Sequence, residues 1–162
     1  PLCEACPWKE VCRAQKSGRW RELPVKSKAK ARRIEDRTVL VIKAEDKVLL
    51  HKRANKGLLA GLYEFPNVEG HLKEEEVITY LKKMGLSPIR LKKLEDSRHI
   101  FSHIEWHMTG YAVQIDETEQ EYQNMLFVDV KETEEQYPIP AAFSRYTGYM
   151  NIRLGNDRYK EE

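Results

Sequence analysis

Three cysteines, Cys3, Cys6 and Cys12, sit within the first 12 residues at a C-x2-C-x5-C spacing, and they are all the cysteines the chain has. Thiolates are soft ligands that suit zinc or an iron–sulfur cluster, and either centre ordinarily takes four donors. The spacing therefore leaves open a metal centre completed from elsewhere, half of a zinc knuckle, or plain buried cysteines. His51 is the nearest histidine in sequence, but it falls in an expected strand beyond a long linker and makes a poor fourth ligand. Lys9, between Cys6 and Cys12, and Arg13 just beyond put cations beside the thiols, where they would meet a phosphate or simply be solvated.

Two other groupings could do chemistry. Phe101-Ser102-His103 joins an aromatic ring, a hydroxyl and an imidazole between two expected strands, a set able to stack and to exchange hydrogen bonds, although a plain turn can carry the same residues. Glu74, Glu75 and Glu76 are clustered hard donors of the kind Mg²⁺ uses. They also open an expected helix, where negative charge offsets the positive end of the helix dipole, and that reading is the better one.

These groups must be positioned by a chain of 162 residues, 41% of them apolar, enough for one ordinary domain plus attached segments. The net charge of +2 hides an uneven distribution. From Arg13 to Arg37 the run carries ten basic residues (Arg13, Lys16, Arg19, Arg21, Lys26, Lys28, Lys30, Arg32, Arg33, Arg37) against Glu22, Glu35 and Asp36, a local excess of +7. No apolar run approaches the roughly 20 residues that span a bilayer, and no signal-peptide core appears, so a soluble intracellular chain without membrane contact is expected. Secreted disulfide scaffolds spread their cysteines along the chain; these three are bunched, which favours a metal or cluster site in a reducing compartment. The sequence opens inside a dense motif without an initiator Met, and a fragment of a longer protein is expected.

Residues 1–12 form the cysteine motif, and 13–36 read as a basic linker of little periodicity. From Thr38 the pattern turns to strands: TVLVIK, a turn at Ala44-Glu45-Asp46, then KVLLHKR, together a hairpin. LYEFP is a short strand ended by Pro66, with Gly57, Gly61 and Gly70 around it. In KEEEVITYLKKM, Val77, Ile78, Leu81 and Met84 recur at helical spacing, acids lead, lysines close, and Gly85 follows as the cap. Strands are expected around Ile89–Leu94, Ile104–Ile115 and Met125–Val130. A second helix from Pro140 should turn Phe143, Tyr146 and Met150 inward. The fold class is α+β, a mixed sheet flanked by helices over 37–155, preceded by the cysteine loop and an extended basic linker, with a polar tail at 156–162. His99, Trp106 and His107 read as sheet packing, and Leu58, Leu59 and Leu62 as core rather than contact residues.

The C-x2-C-x5-C run resembles the last three ligands of the C-x6-C-x2-C-x5-C cluster in the endonuclease III and MutY branch of helix-hairpin-helix DNA glycosylases. The resemblance implies a [4Fe–4S] cluster held by Cys3, Cys6 and Cys12, its first cysteine lying ahead of this chain. Gly57 to Leu86, GLLAGLYEFPNVEGHLKEEEVITYLKKMGL, resembles the central part of a Nudix domain. Active Nudix hydrolases carry an Arg-Glu-x-x-Glu-Glu pattern on that helix, because Mg²⁺ on a diphosphate needs clustered carboxylates. Aligned on Met84-Gly85-Leu86, the two metal-binding glutamates become Lys82 and Lys83, and the earlier Arg-Glu pair becomes Ile78-Thr79. A fold kept without its metal site implies binding rather than hydrolysis.

Together the motifs resemble the MutY-type adenine DNA glycosylases, the resemblance covering essentially the whole chain. It implies a lesion-reading Nudix-like domain whose missing N-terminal partner domain excises adenine mispaired with 8-oxoguanine. The chain alone would then be inactive, with no catalytic residue of its own, working in the bacterial cytoplasm at the nucleoid as part of a monomer. Its DNA partner would be a duplex bearing an 8-oxoguanine·adenine mispair. In that family a Phe-Ser-His loop engages the oxidised base, which assigns Phe101, Ser102 and His103, with Lys9 and Arg13 beside the cluster on phosphate. Oxidation at C8 turns guanine N7 from an acceptor into a donor, and a serine hydroxyl can accept from it while a hydroxyl or backbone N–H donates to O6. Two other readings are an active nucleotide pyrophosphatase and a zinc module that tethers DNA or a partner.

Overall fold

The structure is a computed structural model that describes residues 1–25, 31–116, 122 and 124–151. Lys26, Lys28 and Lys30 of the basic run, and the expected tail at 156–162, lie outside the described residues. The chain divides into two compact units, Pro1–Ala31 and Arg32–Glu162.

The first unit is built from short turns. A 3-10 turn spans Cys3–Ala5, a single helical turn α1 spans Arg13–Lys16, and a second 3-10 turn spans Arg19–Arg21. The segment expected to be an extended basic linker thus begins with helical turns.

The second unit is one mixed sheet of eight strands. They are β1 (Arg33–Ala44), β2 (Lys47–Lys52), β3 (Tyr63–Glu64), β4 (Asn67–Glu69), β5 (Pro88–Lys93), β6 (Ser97–Ile100), β7 (Ile104–Ile115) and β8 (Met125–Asp129). The main order is β3-β2-β1-β7-β5, with β4 on β1, β6 on β7 and β8 on β2. β1 and β7 run parallel from Arg33↔Ile104 to Lys43↔Gln114, while every other pairing is antiparallel. The expected hairpin is present: Ala44 faces Lys47 across a turn in which Glu45 has φ 50. β1 starts at Arg33 rather than Thr38. RIEDR lacks the apolar signature of a strand, and it extends here because β7 supplies its hydrogen-bonding partner.

Because side chains alternate along a strand, β1 feeds two cores. Val39 and Val41 join Trp106, Met108, Phe65, Phe143 and Tyr146 on one face. Leu40 and Ile42 join Val113, Leu49, Val77 and Leu81 on the other. Burial on both faces explains the uninterrupted apolar run at Val39–Ile42, the signature of a central strand. The helix α2 (Glu74–Lys83) covers the second core, burying Val77 and Leu81. The first core is covered by a 3-10 turn at Ala141–Phe143, then α4 (Ser144–Thr147), then another 3-10 turn at Gly148–Asn151. Phe143, Tyr146 and Met150 do point inward, but the single helix expected there is broken into three short turns. A four-residue helix, α3 (Glu132–Glu135), was not foreseen.

Candidate nucleic-acid interface

Phe101-Ser102-His103 forms the tight connection between β6 and β7. The antiparallel register runs from Ser97↔Met108 to Ile100↔Glu105, and Phe101 N–H donates to Ile104 O at 2.8 Å to close the loop. His99 and Ile100, which fall between the expected strands, belong to β6, a strand that was not foreseen.

The three loop residues divide by environment. Phe101 is half-buried and packs on the first core, its ring edge-on to Trp106 at 5.0 Å and to His99 at 4.6 Å. Ser102 and His103 are exposed at the tip, with Ser102 Oγ 2.9 Å from His103 Nδ1. The aromatic residue therefore anchors the loop, while the hydroxyl and the imidazole face solvent as a hydrogen-bonded pair.

The loop is also stitched to the neighbouring strand. Arg33 N–H donates to His103 O at 3.1 Å, and Arg32 Nε donates to Phe101 O through a longer bond of 3.3 Å. Below it, Trp106 is fully buried, donates its indole N–H to Glu35 Oε2 at 3.0 Å, and carries the Arg37 guanidinium over its ring at 4.5 Å. Glu35 also accepts from Arg33 at 2.6 Å and Arg37 at 2.9 Å. Arg37's hydrogen bond, helped by Arg33 and Trp106 and opposed by burial, holds the Glu35 carboxyl below its usual range. These positioning residues carry no motif; they emerge from the parallel pairing of β1 with β7.

A second buried carboxylate orders the adjacent Leu58–Leu62 region. Glu64 is 2% exposed and accepts from Arg53 at 2.8 Å, with His51 Nδ1 at 3.3 Å. Arg53 Nε in turn donates to Leu58 O at 2.9 Å. Leu58 and Leu59 pack on the first core as expected, whereas Leu62 is exposed.

Trp106 and His99 do pack within the sheet, as their strand positions imply. His107 does not: it bonds Glu105 at 2.8 Å and lines a groove of about 330 Å³ with His71, Asp96, Ser97, Arg98 and Met108. On α2, Glu76 caps the helix, accepting from Lys73 N–H at 2.8 Å. Glu74, Glu75 and Glu76 form its first turn and Lys82 and Lys83 its last, as the dipole favours.

In the first unit, Cys3, Cys6, Lys9 and Cys12 are half-buried while the residues between them are exposed. Hydrogen bonds from Cys6 N to Cys3 O, Lys9 N to Cys6 O and Cys12 N to Lys9 O wind this three-residue repeat. Lys9 Nζ bonds Glu4 at 2.7 Å, so this candidate phosphate contact already has an acidic partner. The thiols are free. Among the described residues no three His, Cys, Asp or Glu side chains form a group that could hold a metal ion. The donors fit a thiolate-ligated centre in type and sequence spacing, and the fold of this segment does not bring them together by itself.

Residues 37–148 match the family model for the NUDIX domain. The chain is 29% identical over 116 residues to an adenine DNA glycosylase of Buchnera aphidicola subsp. Schizaphis graminum (strain Sg), covering 71% of this chain and 33% of that protein. It is 40% identical over 76 residues to the adenine DNA glycosylase of Mus musculus, covering 43% of this chain and 15% of that one. The chain thus spans a third or less of these curated relatives. Its fold is similar to the C-terminal domain of mouse MUTYH, solved in complex with human PCNA, with a TM-score of 0.57 at 24% identity, over 72% of this chain and 86% of that one. An eight-stranded mixed sheet covered by helices and a match over 37–148 lead to one conclusion: the chain belongs to the NUDIX domain family, and it resembles the C-terminal Nudix-like portion of MutY-type adenine DNA glycosylases.

Proposed function

We propose that this chain is the C-terminal part of an adenine DNA glycosylase of base excision repair, and that it reads 8-oxoguanine opposite the adenine that an N-terminal domain removes. One observation carries the reading: Ser102 and His103 stand exposed and hydrogen-bonded to each other on a hairpin whose Phe101 is locked against Trp106. When Ser102 donates to an unprotonated His103 Nδ1, the serine oxygen keeps its lone pairs for the N7–H that only the oxidised base offers. Phe101, packed on Trp106, holds the loop.

This division of labour has a chemical reason. Adenine also occurs in normal A·T pairs, so an enzyme that extrudes and excises it gains specificity by reading the opposite base. The chain alone, without the excision domain, is inactive toward adenine. Cys3, Cys6 and Cys12, with a fourth cysteine ahead of this chain, would hold a [4Fe–4S] cluster, which when bound cross-links the loop. Arg13, just past the last of these cysteines, would then lie close to a phosphate. The whole enzyme works on DNA as a monomer in the bacterial cytoplasm.

Single-turnover adenine release by the full-length protein tests the reading, on duplexes with 8-oxoguanine·A or G·A. Wild type should prefer the oxidised partner, and changing Phe101, Ser102 and His103 together to Ala should abolish that preference. An unchanged preference removes the loop from the mechanism, and no adenine release removes the glycosylase. Iron and acid-labile sulfide are expected in the purified protein; zinc without iron would point instead to a structural zinc module. Lys82 and Lys83 put cations where active relatives have metal-binding glutamates, so no Mg²⁺-dependent hydrolysis of 8-oxo-dGTP is expected.

A further inference from the structure

The basic run holds ten cations, and its sequence does not say which of them serve the reading loop. Three arginines border the Phe101–His103 hairpin in the structure: Arg32 just ahead of β1, Arg33 at its start, and Arg98 on β6. Arg33 is committed to Glu35 at 2.6 Å, and Arg98 lies 3.5 Å from Glu105. Arg32 is exposed, and among the described residues no carboxylate lies within 4.0 Å of its guanidinium. Among the described residues its one side-chain hydrogen bond is from Nε to Phe101 O at 3.3 Å. That bond uses Nε alone; among the described residues neither terminal nitrogen has a hydrogen-bond partner, although the charge of Arg32 also helps to lower the Glu105 carboxyl. A guanidinium fixed at one edge and open at the other is suited to a bidentate contact with a phosphate.

We infer that Arg32 is the phosphate clamp of the reading loop: it binds the DNA phosphodiester flanking the base that Ser102 and His103 address, while its Nε fixes the loop that reads that base. The inference rests on the proposed lesion-reading role for its location, and on the charge and geometry around Arg32 for its chemistry. The backbone bond from Arg33 N–H to His103 O adds a second link between this stretch and the hairpin tip. Phosphate contacts set the register from which base contacts discriminate, so a clamp attached to the loop aligns Ser102 with the base edge.

The test is the salt dependence of binding by the full-length protein to an 8-oxoguanine·A duplex whose adenosine carries a 2′-fluoro group, which blocks excision. A matched G·C duplex is measured in parallel. Each phosphate contact contributes about 0.9 to the slope of log affinity against log salt. Arg32→Ala and Arg32→Gln should each lower the slope by about that amount on both duplexes, and Arg32→Lys should keep it. Arg145→Ala, which breaks a surface pair with Glu95, should leave it unchanged. Gln retains a donor for Phe101 O, so it separates lost charge from a loosened loop, and thermal melting checks that every variant is folded. An unchanged slope in both neutral variants overturns the clamp, even where wild type still prefers the oxidised duplex. A reduced slope without any such preference in wild type keeps the clamp and removes the lesion-reading role. No DNA binding by wild type overturns both.

Discussion

The indole N–H of Trp106 donates to the Glu35 carboxylate at 3.0 Å, joining β7, the strand that leaves the Phe101–His103 hairpin, to its parallel neighbour β1. Trp106 is the floor on which Phe101 rests, and Glu35 is held in turn by Arg33 and Arg37.

This arrangement makes stability depend on acid pH. The folded Glu35 carboxyl lies below its ordinary range, so its contribution is complete above the unfolded-state value of about 4.3 and is lost as pH falls through the folded value. Glu35→Gln should cost about 1–3 kcal/mol near neutrality, a charged hydrogen-bond network being lost. Thermal melts of wild type and variant should converge as the pH is lowered from the unfolded-state value of about 4.3 through the lower folded value. A gap that stays constant down to the lowest pH would show that the charge of Glu35 does not carry the stabilisation.

Anchor and tip should separate by stability. Phe101→Ala removes a half-buried ring in contact with Trp106 and His99 and should cost about 1–3 kcal/mol. Ser102→Ala, at an exposed position, should stay within about 0.5 kcal/mol. Urea denaturation of the two variants measures this, and equal losses would mean that the serine is also structural.

Gly110 is where β7 passes under Tyr146. A Cβ there would lie 2.4 Å from Tyr146 Cε1, and that ring is fully buried with its hydroxyl bonded to Met108 O at 3.1 Å. Gly110→Ala should destabilise the domain by about 1–3 kcal/mol through overpacking, read as a fall in melting temperature. A neutral result would mean that the first core can repack around Tyr146.

Thr38 carries a buried hydroxyl that donates to Gly70 O at 2.7 Å and accepts from Leu72 N–H at 2.8 Å, tying β1 to the approach of α2. Thr38→Val leaves both groups without this partner, at a cost of about 1–3 kcal/mol. Hydrogen exchange at the Leu72 amide should accelerate more than exchange in β7. Uniform acceleration would indicate a global loss instead.

Local chemistry made much of this protein legible in its sequence. The short apolar runs of TVLVIK and KVLLHKR, β-branched in the first, specify paired strands around a short turn, and the spacing of Val77 and Leu81 with charges at both ends specifies α2. The inward set Phe143, Tyr146 and Met150 was readable for the same reason, since burial follows the periodicity of apolar side chains whether the backbone forms one helix or three short turns. The grouping of Phe101, Ser102 and His103 between strands was visible too, but their separate roles were not. Whether a ring anchors or protrudes depends on what lies beneath it, and Trp106 reaches Phe101 only through the register of β6 on β7. The strand through RIEDR, the Glu35–Trp106 bond and the approach of Arg32 to Phe101 O all depend on the parallel pairing of β1 with β7. Arg32 and Phe101 are 69 residues apart in sequence, and no local propensity encodes a contact at that range. Local preferences and hydrophobic periodicity determined the elements, whereas long-range strand pairing, driven by burial of both faces of β1, decided which polar side chains meet.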